Sequence, residues 1–545
     1  MKILNKLRAI LKSHMLDGFI IPSNDEFQSE YVPDYANRLK FLTGFSGSNG
    51  VALVTNKEAV FFTDGRYLLQ AQQELGDHFK IQNISTLYDN PYLYGKIGYD
   101  PKLHTNVVLY KNCSLMPYEN LIDLIWDDKP TQVPSQIFHY PLKYAGETKE
   151  AKLHQIQSYL QLNKIDALII TDPTNICWLL NIRAHDVDYN PILLSYAILE
   201  QNGNLKLFSN SESTIALTEF SKHLKLLEHK KVQLDPNSAS IWIKSHFKNV
   251  ILEQDPCILA KACKNNIEIK QARRVHIIDG VALSRLLHWL ERNHSMNEIS
   301  VTEKLLEFRS AHPDFIYPSF PTIAGFAEHG AIIHYHATKN SNKTLTANGL
   351  FLLDSGGQYF GGTTDITRVI PIGRATYQQK LDFTLVLKGH IALANSQFPV
   401  GTRGSSLDVL ARQFLWQYGK DYAHGTGHGV GNCLSVHEGP QRISQIHSCP
   451  LKAGMIISNE PGYYKNGEYG IRIENLMLVV QLKNGYLGME TLSLAPIDHR
   501  LILKKILSET EKKWLNSYHQ QIYKKLSPFL NQQEKSWLKS KTIAV

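Results

Sequence analysis

The stretch over residues 348–368, NGLFLLDSGGQYFGGTTDITR, constrains the fold of this chain more than any other. An apolar run ends on Asp354, glycines follow, and a β-branched run surrounds Asp365, a pattern that predicts two adjacent strands of one sheet. The two aspartates lie eleven residues apart, so a hairpin would bring both carboxylates to one place. Neighbouring carboxylates repel unless a cation lies between them, which indicates a metal site. The alternative is that Asp354 caps a turn and Asp365 is a solvated strand residue.

The chain length sets the expected number of domains. Its 545 residues exceed what one hydrophobic core organises, and units of roughly 100–200 residues predict about three domains. A hydrophobic fraction of 43% and a charged fraction of 20% are typical of a soluble globular protein. The net charge of +8 is small for this length, and no long basic block lies outside the C-terminal tail, so we expect no nucleic-acid partner.

Cysteine usage and the N-terminus indicate the compartment. The six cysteines are scattered without a CxxC pair, which favours free thiols in a reducing environment. The N-terminal segment MKILNKLRAILKS places apolar and basic residues at helical spacing, which predicts an amphipathic helix rather than a signal peptide. No apolar run approaches the roughly 18 residues that a membrane span needs. We therefore expect a cytoplasmic protein without a membrane segment.

One pattern occurs twice in the N-terminal half. A helix, an aspartate and a short apolar strand around Asp17 recur 149 residues later around Asp166. The repeat predicts two related α/β domains, over residues 1–145 and 146–262. Neither copy contains a cluster of His, Asp and Glu at ligand-like spacing, so a structural or substrate-gating role is favoured for both.

Residues 263–545 form the third predicted domain, with a lysine-rich helical tail from about residue 485 to 545 that we expect to pack on it. Hydrophobic periodicity predicts its main elements. These are helices over residues 267–292, 301–310, 382–396 and 406–418, and a strand over residues 331–335.

Three further stretches of this domain offer side chains that bind metals. HGTGHGVG sets two histidines among four glycines, too many for a stable helix, so at most one of His424 and His428 need be a ligand. In IISNEPGY, a buried strand ends on Glu460 and the chain then turns. In GIRIEN, Arg472 and Glu474 share one face of a predicted strand.

Together these stretches offer four carboxylates and one imidazole. Four carboxylates carry a charge of −4, which two divalent cations neutralise; without metal the cluster would have to protonate or open. Oxygen-rich ligation without a thiolate favours hard or borderline ions, Mn²⁺ first, with Co²⁺ and Zn²⁺ as alternatives. The candidate ligands are Asp354, Asp365, His428, Glu460 and Glu474.

The motif set DSGGQY, GTTDITR, HGTGHGVG, NEPGYY and IRIEN resembles the metallopeptidases with a pita-bread catalytic domain, and more narrowly the long, three-domain Xaa-Pro aminopeptidases. PSNDEFQSEYVPDYANRLKFLTGFSGSNG and NIRAHDVDYNP, in the first two domains, are similar to the same branch. The resemblance covers nearly the whole chain. It implies an α/β (α+β) fold, with two related creatinase-like N-terminal α/β domains followed by a pita-bread catalytic domain, and it also implies a homodimer.

The resemblance implies a role for each ligand. Asp354 would bind one metal ion, and His428 and Glu460 would hold the other. Asp365 and Glu474 would bridge both ions. This sequence departs from the family pattern at none of the five positions.

Other matching residues would act on the substrate. His334 matches a histidine that contacts the substrate, while His424 and His437 match two that line the proline side and stabilise the tetrahedral intermediate. Arg472 is expected to belong to the substrate-binding residues, and it would also orient the carboxylates. Arg368 is expected to be a structural salt-bridge partner.

The implied reaction releases the first residue from peptides with proline in second position. A hydroxide bridging two metals would attack the carbonyl of the first residue, and a metal and a histidine would stabilise the oxyanion. Glu460 would accept the water proton and pass it to the leaving nitrogen. The α-amine of the substrate would lie near Asp354, and His334, Val436 and His437 would shape the proline pocket.

Three related functions remain as alternatives. Prolidase shares the five ligands but cleaves dipeptides, and the duplicated N-terminal half favours the aminopeptidase instead. Creatinase shares the fold without metal, which the intact ligand set disfavours. A non-catalytic pita-bread module that binds proteins typically has lost ligands, whereas all five positions are filled here.

Overall fold

The computed structural model describes residues 2–107, 110, 112–293, 295–346, 348–446 and 449–545. It divides into two compact units, one formed by the chain up to Tyr140 with Glu147–Ile258, the other by Pro141–Gly146 with Leu259–Val545. Among the described residues, no helix is both long and apolar enough to cross a membrane.

The first 145 residues contain a six-stranded mixed sheet. The elements are α1 (Lys2–Ser13), β1 (Gly18–Pro22), α2 (Arg38–Thr43), β2 (Val51–Thr55), β3 (Ala59–Thr63), α3 (Leu68–Leu75), β4 (Lys80–Asn83), β5 (Lys96–Tyr99), β6 (Ser114–Pro117), β7 (Phe138–His139) and α4 (Leu142–Ala145). The strand order is β4-β3-β2-β1-β5-β6. Helix α1 buries Leu4, Leu7 and Leu11, spaced three and four residues apart, in one core with Phe19 of β1.

The next segment of the N-terminal unit contains a second six-stranded sheet. Its elements are α5 (Lys149–Leu162), β8 (Ala167–Ile170), α6 (Pro173–Leu180), β9 (Ile182–Arg183), β10 (Ser195–Glu200), β11 (Leu205–Ser209), β12 (Ile215–Ala216), α7 (Phe220–Lys225), β13 (Lys231–Leu234), α8 (Ile241–Lys244) and β14 (Asn249–Leu252). The strand order is β12-β11-β10-β8-β13-β14.

The two sheets repeat one topology, strand for strand. Each central strand, β1 or β8, pairs antiparallel with one neighbour and parallel with the other, and the outer pairings also match. The repeated aspartate makes an equivalent hydrogen bond in each domain. Oδ2 of Asp17 accepts from the Lys96 amide and Oδ2 of Asp166 accepts from the Lys231 amide, both at 2.8 Å. The predicted pair of related α/β domains is confirmed; the boundaries at residues 145 and 262 stay predictions.

The second unit carries the remaining elements, the first of which begins in the last three residues of the first unit. They are α9 (Pro256–Ala262), α10 (Asn266–Arg292), α11 (Glu298–Ser310), β15 (Phe315–Pro318), β16 (Ile323–Phe326), β17 (Gly349–Ser355), β18 (Gly357–Tyr359), β19 (Gly362–Thr363), β20 (Ile366–Ile372), α12 (Tyr377–Ala394), β21 (Gln397–Phe398), α13 (Gly404–Trp416), β22 (Gly427–Gly429), β23 (Glu438–Ile443), β24 (Ile456–Asn459), β25 (Gly462–Lys465), β26 (Tyr469–Arg472), β27 (Asn475–Gln481), β28 (Leu487–Thr491), α14 (Glu509–Leu526) and α15 (Gln532–Lys541).

The described residues of this unit form four sheets: β15-β18-β19, β16-β17-β20, β21-β28-β27-β24-β22-β23 and the hairpin β25-β26. Strands β17 and β20 pair antiparallel from Gly349 opposite Ile372 to Ser355 opposite Ile366, as the sequence predicts. The glycine-rich segment between them is more than a turn, because it forms β18 and β19, which pair with each other in a separate sheet. Helix α14 of the tail packs Leu515 and Ile522 into the same core as α12.

Two predicted strands are wrong. Residues 331–335 follow a short 3-10 helix, Ala327–Ala331, and form a turn. The buried Glu298 carboxylate accepts hydrogen bonds from His329 Nδ1 and the Tyr335 hydroxyl, and these two contacts hold the segment in a turn rather than a strand. Residues 470–475 are not one strand, since β26 ends at Arg472 and pairs with β25, while β27 begins three residues later, at Asn475, and pairs with β24.

Candidate metal centre

Strand ends of three different sheets bring four carboxylates together. Asp354 lies near the end of β17, opposite Thr367, and Asp365 immediately precedes β20. Glu460 immediately follows β24, and Glu474 occupies the link between β26 and β27. Asp354, Asp365 and Glu474 are almost completely buried, with 7%, 4% and 1% of their surface exposed. We call these three residues the carboxylate side of the site.

Histidines and Glu460 form the opposite side. His428 Nε2 lies 3.5 Å from Asp365 Oδ2 and 3.4 Å from Glu460 Oε1. His424 Nδ1 lies 3.9 Å from Glu460 Oε2, and the His437 ring stands perpendicular to that of His428 with the centroids 4.4 Å apart. We call His424, His428, His437 and Glu460 the histidine side.

The donor set fits a cation. Asp365, His428 and Glu474 each offer a ligand atom, and these atoms lie within 4.8 Å of one another. Among the described residues, the buried Oδ1 atoms of Asp354 and Asp365 have no hydrogen-bond partner. Buried charged oxygens without a partner are costly, and a divalent ion that binds carboxylate oxygens would offset that cost.

The titration of the carboxylate side supports the same conclusion. Burial, and then repulsion from Asp354 and Glu460, raise the pKa of Asp365 well above its ordinary value. Burial and the charges of the neighbouring carboxylates likewise raise the pKa of Glu474. The nearby positive charge and the 2.7 Å hydrogen bond from Thr367 Oγ1 to Glu474 Oε2 therefore do not offset burial and mutual repulsion at Asp365 and Glu474.

The histidine side is balanced internally. Burial opposes ionisation of Glu460, but His428, His424, Arg472 and the Ser458 hydroxyl outweigh it and lower the pKa of the carboxyl. Ser458 Oγ donates to Glu460 Oε1 at 2.9 Å. Burial lowers the pKa of His424 to about 4, so this ring is neutral near pH 7.

Arg472 links the two sides. Its Nη2 donates to Asp354 Oδ2 at 2.5 Å, and its Nη1 donates to the Tyr464 hydroxyl at 2.7 Å. Tyr464 lies 2.9 Å from His424 Nε2, while His424 Nδ1 lies 2.8 Å from the Gly425 carbonyl. Because Nδ1 must donate to that carbonyl, Nε2 of the neutral ring accepts a hydrogen bond from the Tyr464 hydroxyl.

The structure places His334 at the edge of this arrangement. It is partly buried in the turn after Ala327–Ala331, and the carbonyl of the preceding Ile333 lies 3.5 Å from Arg472 Nη2. A Cβ on Gly470 would come within 1.6 Å of the Gly330 carbonyl, so glycine at that position permits the hairpin β25-β26 to approach the segment before His334. All nine predicted site residues thus lie on segments that meet at one place.

Sequence analysis missed Tyr464 and Thr367. A signal for Tyr464 was present, because Asn466-Gly467 is a strong hairpin turn. That turn places Tyr464 opposite Gly470, on the same face as Arg472 two residues further along. The expected salt bridge of Arg368 is not found in the described chain; its hydrogen bonds end on carbonyl, amide and hydroxyl oxygens.

Family models cover most of the chain. The model of metallopeptidase family M24 matches residues 270–481, and the C-terminal region of that family matches residues 485–545. The creatinase/prolidase N-terminal domain matches twice, over residues 3–123 and 128–268.

Full-length relatives and a solved structure agree with these matches. A probable Xaa-Pro aminopeptidase P of Laccaria bicolor is 37% identical over 97% of this chain and 90% of that protein. Xaa-Pro aminopeptidase 1 of Dictyostelium discoideum is 35% identical over 99% and 96%, respectively. The crystal structure of an X-prolyl aminopeptidase from Caenorhabditis elegans, described as a cytosolic enzyme with a di-nuclear active site, matches with a TM-score of 0.95 and 33% identity, covering 100% of this chain and 99% of that one.

A prolidase structure from Pyrococcus horikoshii shares the fold more distantly. It covers 64% of this chain with 24% identity and a TM-score of 0.52.

Proposed function

The chain belongs to metallopeptidase family M24, and from this premise we propose that it is an Xaa-Pro aminopeptidase, which releases the first residue from peptides with proline in second position. The observation that carries the proposal is the buried carboxylate–histidine cluster, within a chain similar to Xaa-Pro aminopeptidases over its full length. Prolidase is the second candidate, and it is favoured less because the prolidase neighbour spans only 64% of the chain.

The cluster holds two divalent metal ions in this proposal. Asp354 would hold one, His428 and Glu460 would hold the other, and Asp365 and Glu474 would contribute to both. When bound, such ions acidify a water molecule and polarise the carbonyl that is attacked. Mn²⁺ is the proposed ion because the donors are oxygen atoms and one imidazole, with Co²⁺ and Zn²⁺ as alternatives.

Glu460 is the proposed proton carrier. Its lowered pKa keeps it ionised at neutral pH, so it can accept a proton from water. Ser458 donates a hydrogen bond to one of its oxygens, which restricts the orientation of the carboxylate. The leaving nitrogen of an Xaa-Pro bond is a tertiary amide nitrogen that must gain a proton as the bond breaks, and Glu460 would deliver that proton.

Arg472 and the histidines position the reacting groups. Arg472 donates to Oδ2 of Asp354, and the buried Oδ1 has no hydrogen-bond partner among the described residues, so it is available to a metal ion. The substrate's α-amine lies near this aspartate, and that contact restricts the enzyme to the peptide N-terminus. His334 and His437 contact the proline side, and His424 joins them after exchanging one of its two protein hydrogen bonds for the substrate.

We further propose a cytoplasmic homodimer. The scattered thiols and the described location of the Caenorhabditis elegans protein support the compartment. The dimer follows from the resemblance to the long Xaa-Pro aminopeptidases, and light scattering coupled to size-exclusion chromatography tests it: a mass near 62 kDa for the eluting species would contradict it, since the chain itself is 61.9 kDa.

Hydrolysis by metal-stripped protein tests the activity. Arg-Pro-Pro and the dipeptide Arg-Pro are incubated with and without Mn²⁺, Co²⁺ or Zn²⁺, and release of free arginine is measured. Metal-dependent cleavage of the tripeptide only is the expected result. Cleavage of the dipeptide only would identify a prolidase, and inactivity on both with metal bound would favour a protein-binding module.

A further inference from the structure

Arg368 is buried beneath the metal centre. Only 4% of its surface is exposed. Its Nη1 donates to the backbone carbonyls of Thr367 at 2.8 Å and Glu474 at 2.7 Å. Its Nη2 donates to Asn475 Oδ1 and the Ala495 carbonyl, both at 2.8 Å, and to the Tyr518 hydroxyl at 2.7 Å.

These acceptors belong to the segments that present Asp365 and Glu474. Glu474 contributes its own carbonyl, and Thr367 follows Asp365 by two residues. The same two segments are also joined directly, since the Glu474 amide donates to the Thr367 carbonyl at 3.3 Å and the Thr367 hydroxyl donates to the Glu474 carboxylate. Arg368 therefore connects β20 to the segment that leads into β27, and these two strands belong to different sheets.

The C-terminal tail completes this arrangement. Tyr518 lies in α14, and its hydroxyl accepts from Arg368 while lying within 3.2 Å of Asn475 Oδ1 and the carbonyls of Ser493 and Ala495. Trp514, one turn earlier, stacks on the Tyr518 ring with the centroids 5.2 Å apart. The tail thus reaches the backbone of a candidate metal ligand through a single hydroxyl and one guanidinium.

The charge of Arg368 also acts on the site. A guanidinium stays protonated in proteins, and burying one without a carboxylate partner is costly. Electrostatic attraction to Glu474 offsets part of this cost. A fixed positive charge behind Glu474 reduces the repulsion that this carboxylate experiences from Asp354, Asp365 and Glu460.

We propose that Arg368, held by Tyr518 of the C-terminal tail, is a positioning residue of the metal centre. It fixes the backbone that presents Asp365 and Glu474, so the tail is a working part of the site rather than a flank packed on its outside. This inference rests on the proposed metal centre, and it adds two residues that contact neither metal nor substrate. Residues that orient metal ligands typically change metal affinity by about 10–100-fold when they are replaced.

Metal binding by stripped protein tests the inference. Isothermal titration with Mn²⁺ is carried out on wild type and on the variants Tyr518→Phe, Arg368→Lys and Arg368→Met, with thermal unfolding measured alongside. Tyr523→Phe is the matched control, because it removes the same atom from the same helix and, in the described chain, its hydroxyl does not hydrogen-bond to Arg368 or the ligand segments. We expect the dissociation constant to rise by about 10-fold in Tyr518→Phe and by about 100-fold in Arg368→Met, with Arg368→Lys between them.

The outcomes separate this inference from the proposed function. Wild type that binds two ions and cleaves Arg-Pro-Pro, beside Tyr518→Phe and Arg368→Lys with wild-type metal affinity and only a lower melting temperature, would overturn the positioning role alone. Wild type that binds no metal would overturn the proposed function and this inference together. If Arg368→Met does not fold, Tyr518→Phe and its control still decide the question.

Discussion

The carboxylate side and the histidine side of the site lie 3.5 Å apart between Asp365 Oδ2 and His428 Nε2, yet the pKa values of their carboxyl groups are shifted in opposite directions. Asp365 and Glu474 have raised pKa values because burial and mutual repulsion dominate. Glu460 has a lowered pKa because two histidines, Arg472 and Ser458 surround it. The difference indicates that one side is incomplete without cations, while the other is already arranged to move a proton.

The largest effect is expected from removing a carboxylate from the carboxylate side. Asp365→Asn should abolish metal binding and catalysis, because it takes away a shared ligand. The same change should raise the melting temperature of stripped protein near pH 8, since one of the mutually repelling buried charges is gone. Calorimetric titration and thermal unfolding measure the two effects, and a stripped variant less stable than stripped wild type would contradict the repulsion.

Changing the histidine side should separate chemistry from binding. Glu460→Gln should lower kcat by about 10²–10⁴-fold, the usual contribution of a positioned general base, because glutamine cannot carry the proton. Metal binding should weaken far less than in Asp365→Asn, since the carboxylate side is intact. Near-normal turnover with metal bound would remove Glu460 from the role of proton carrier.

The pH dependence of the stabilisation of the fold by metal should show whether the carboxylate side needs cations. Folded Asp365 and Glu474 have pKa values raised above the roughly 3.9 and 4.3 of unfolded chains. Their contribution to stability is therefore fully present below the unfolded values and is lost as pH rises through the folded ones. His424 has the opposite sign, because its folded pKa of about 4 lies below the unfolded value, and its contribution is lost as pH falls toward 4.

Because metal ions replace the protons that the carboxylate side loses, the rise in melting temperature on adding Mn²⁺ should be larger near pH 8 than near pH 5. Differential scanning fluorimetry of stripped and reloaded protein measures it. Asp365→Asn is the control and should show little rise at either pH. An equal or larger rise near pH 5 in wild type would show that the carboxylates are already ionised without metal.

The smallest expected effect concerns the bridge between the two sides. Tyr464→Phe removes the hydroxyl that joins Arg472 to His424, which should lower kcat/KM by about 3–10-fold, the equivalent of one hydrogen bond. Tyr463→Phe is the matched control, because it lies on the other face of the same hairpin. Equal effects of the two changes would mean that the loss comes from the hairpin and not from the bridge.

Particular elements show where sequence-based prediction succeeded. The pairing of β17 with β20 followed from apolar and β-branched runs around glycines. The domain repeat followed from the pattern around Asp17 that recurs around Asp166, and both sheets have the same strand order. In these cases the information is local, because strand and helix periodicity is written in neighbouring residues.

Other elements show where it failed. The strand predicted over residues 331–335 is absent because Glu298, more than thirty residues earlier, draws His329 and Tyr335 around its carboxylate. The strand predicted over residues 470–475 divides because its halves pair with different partners, β25 and β24. Period-two alternation does not specify which sheet a strand joins, so neither departure was visible in the local pattern.

The sequence by itself determined the kinds of side chain at the candidate metal centre, the duplication of the N-terminal domains and the resemblance to a family. Only the tertiary structure decided which oxygens of Asp354 and Asp365 are left without hydrogen-bond partners. It also decided that Arg368 donates to the backbone carbonyl of Glu474 and the hydroxyl of Tyr518 rather than to a carboxylate. The physical reason is that hydrogen-bond partners and electric fields depend on atoms brought close in space, and Arg368 and Tyr518 are 150 positions apart in the chain.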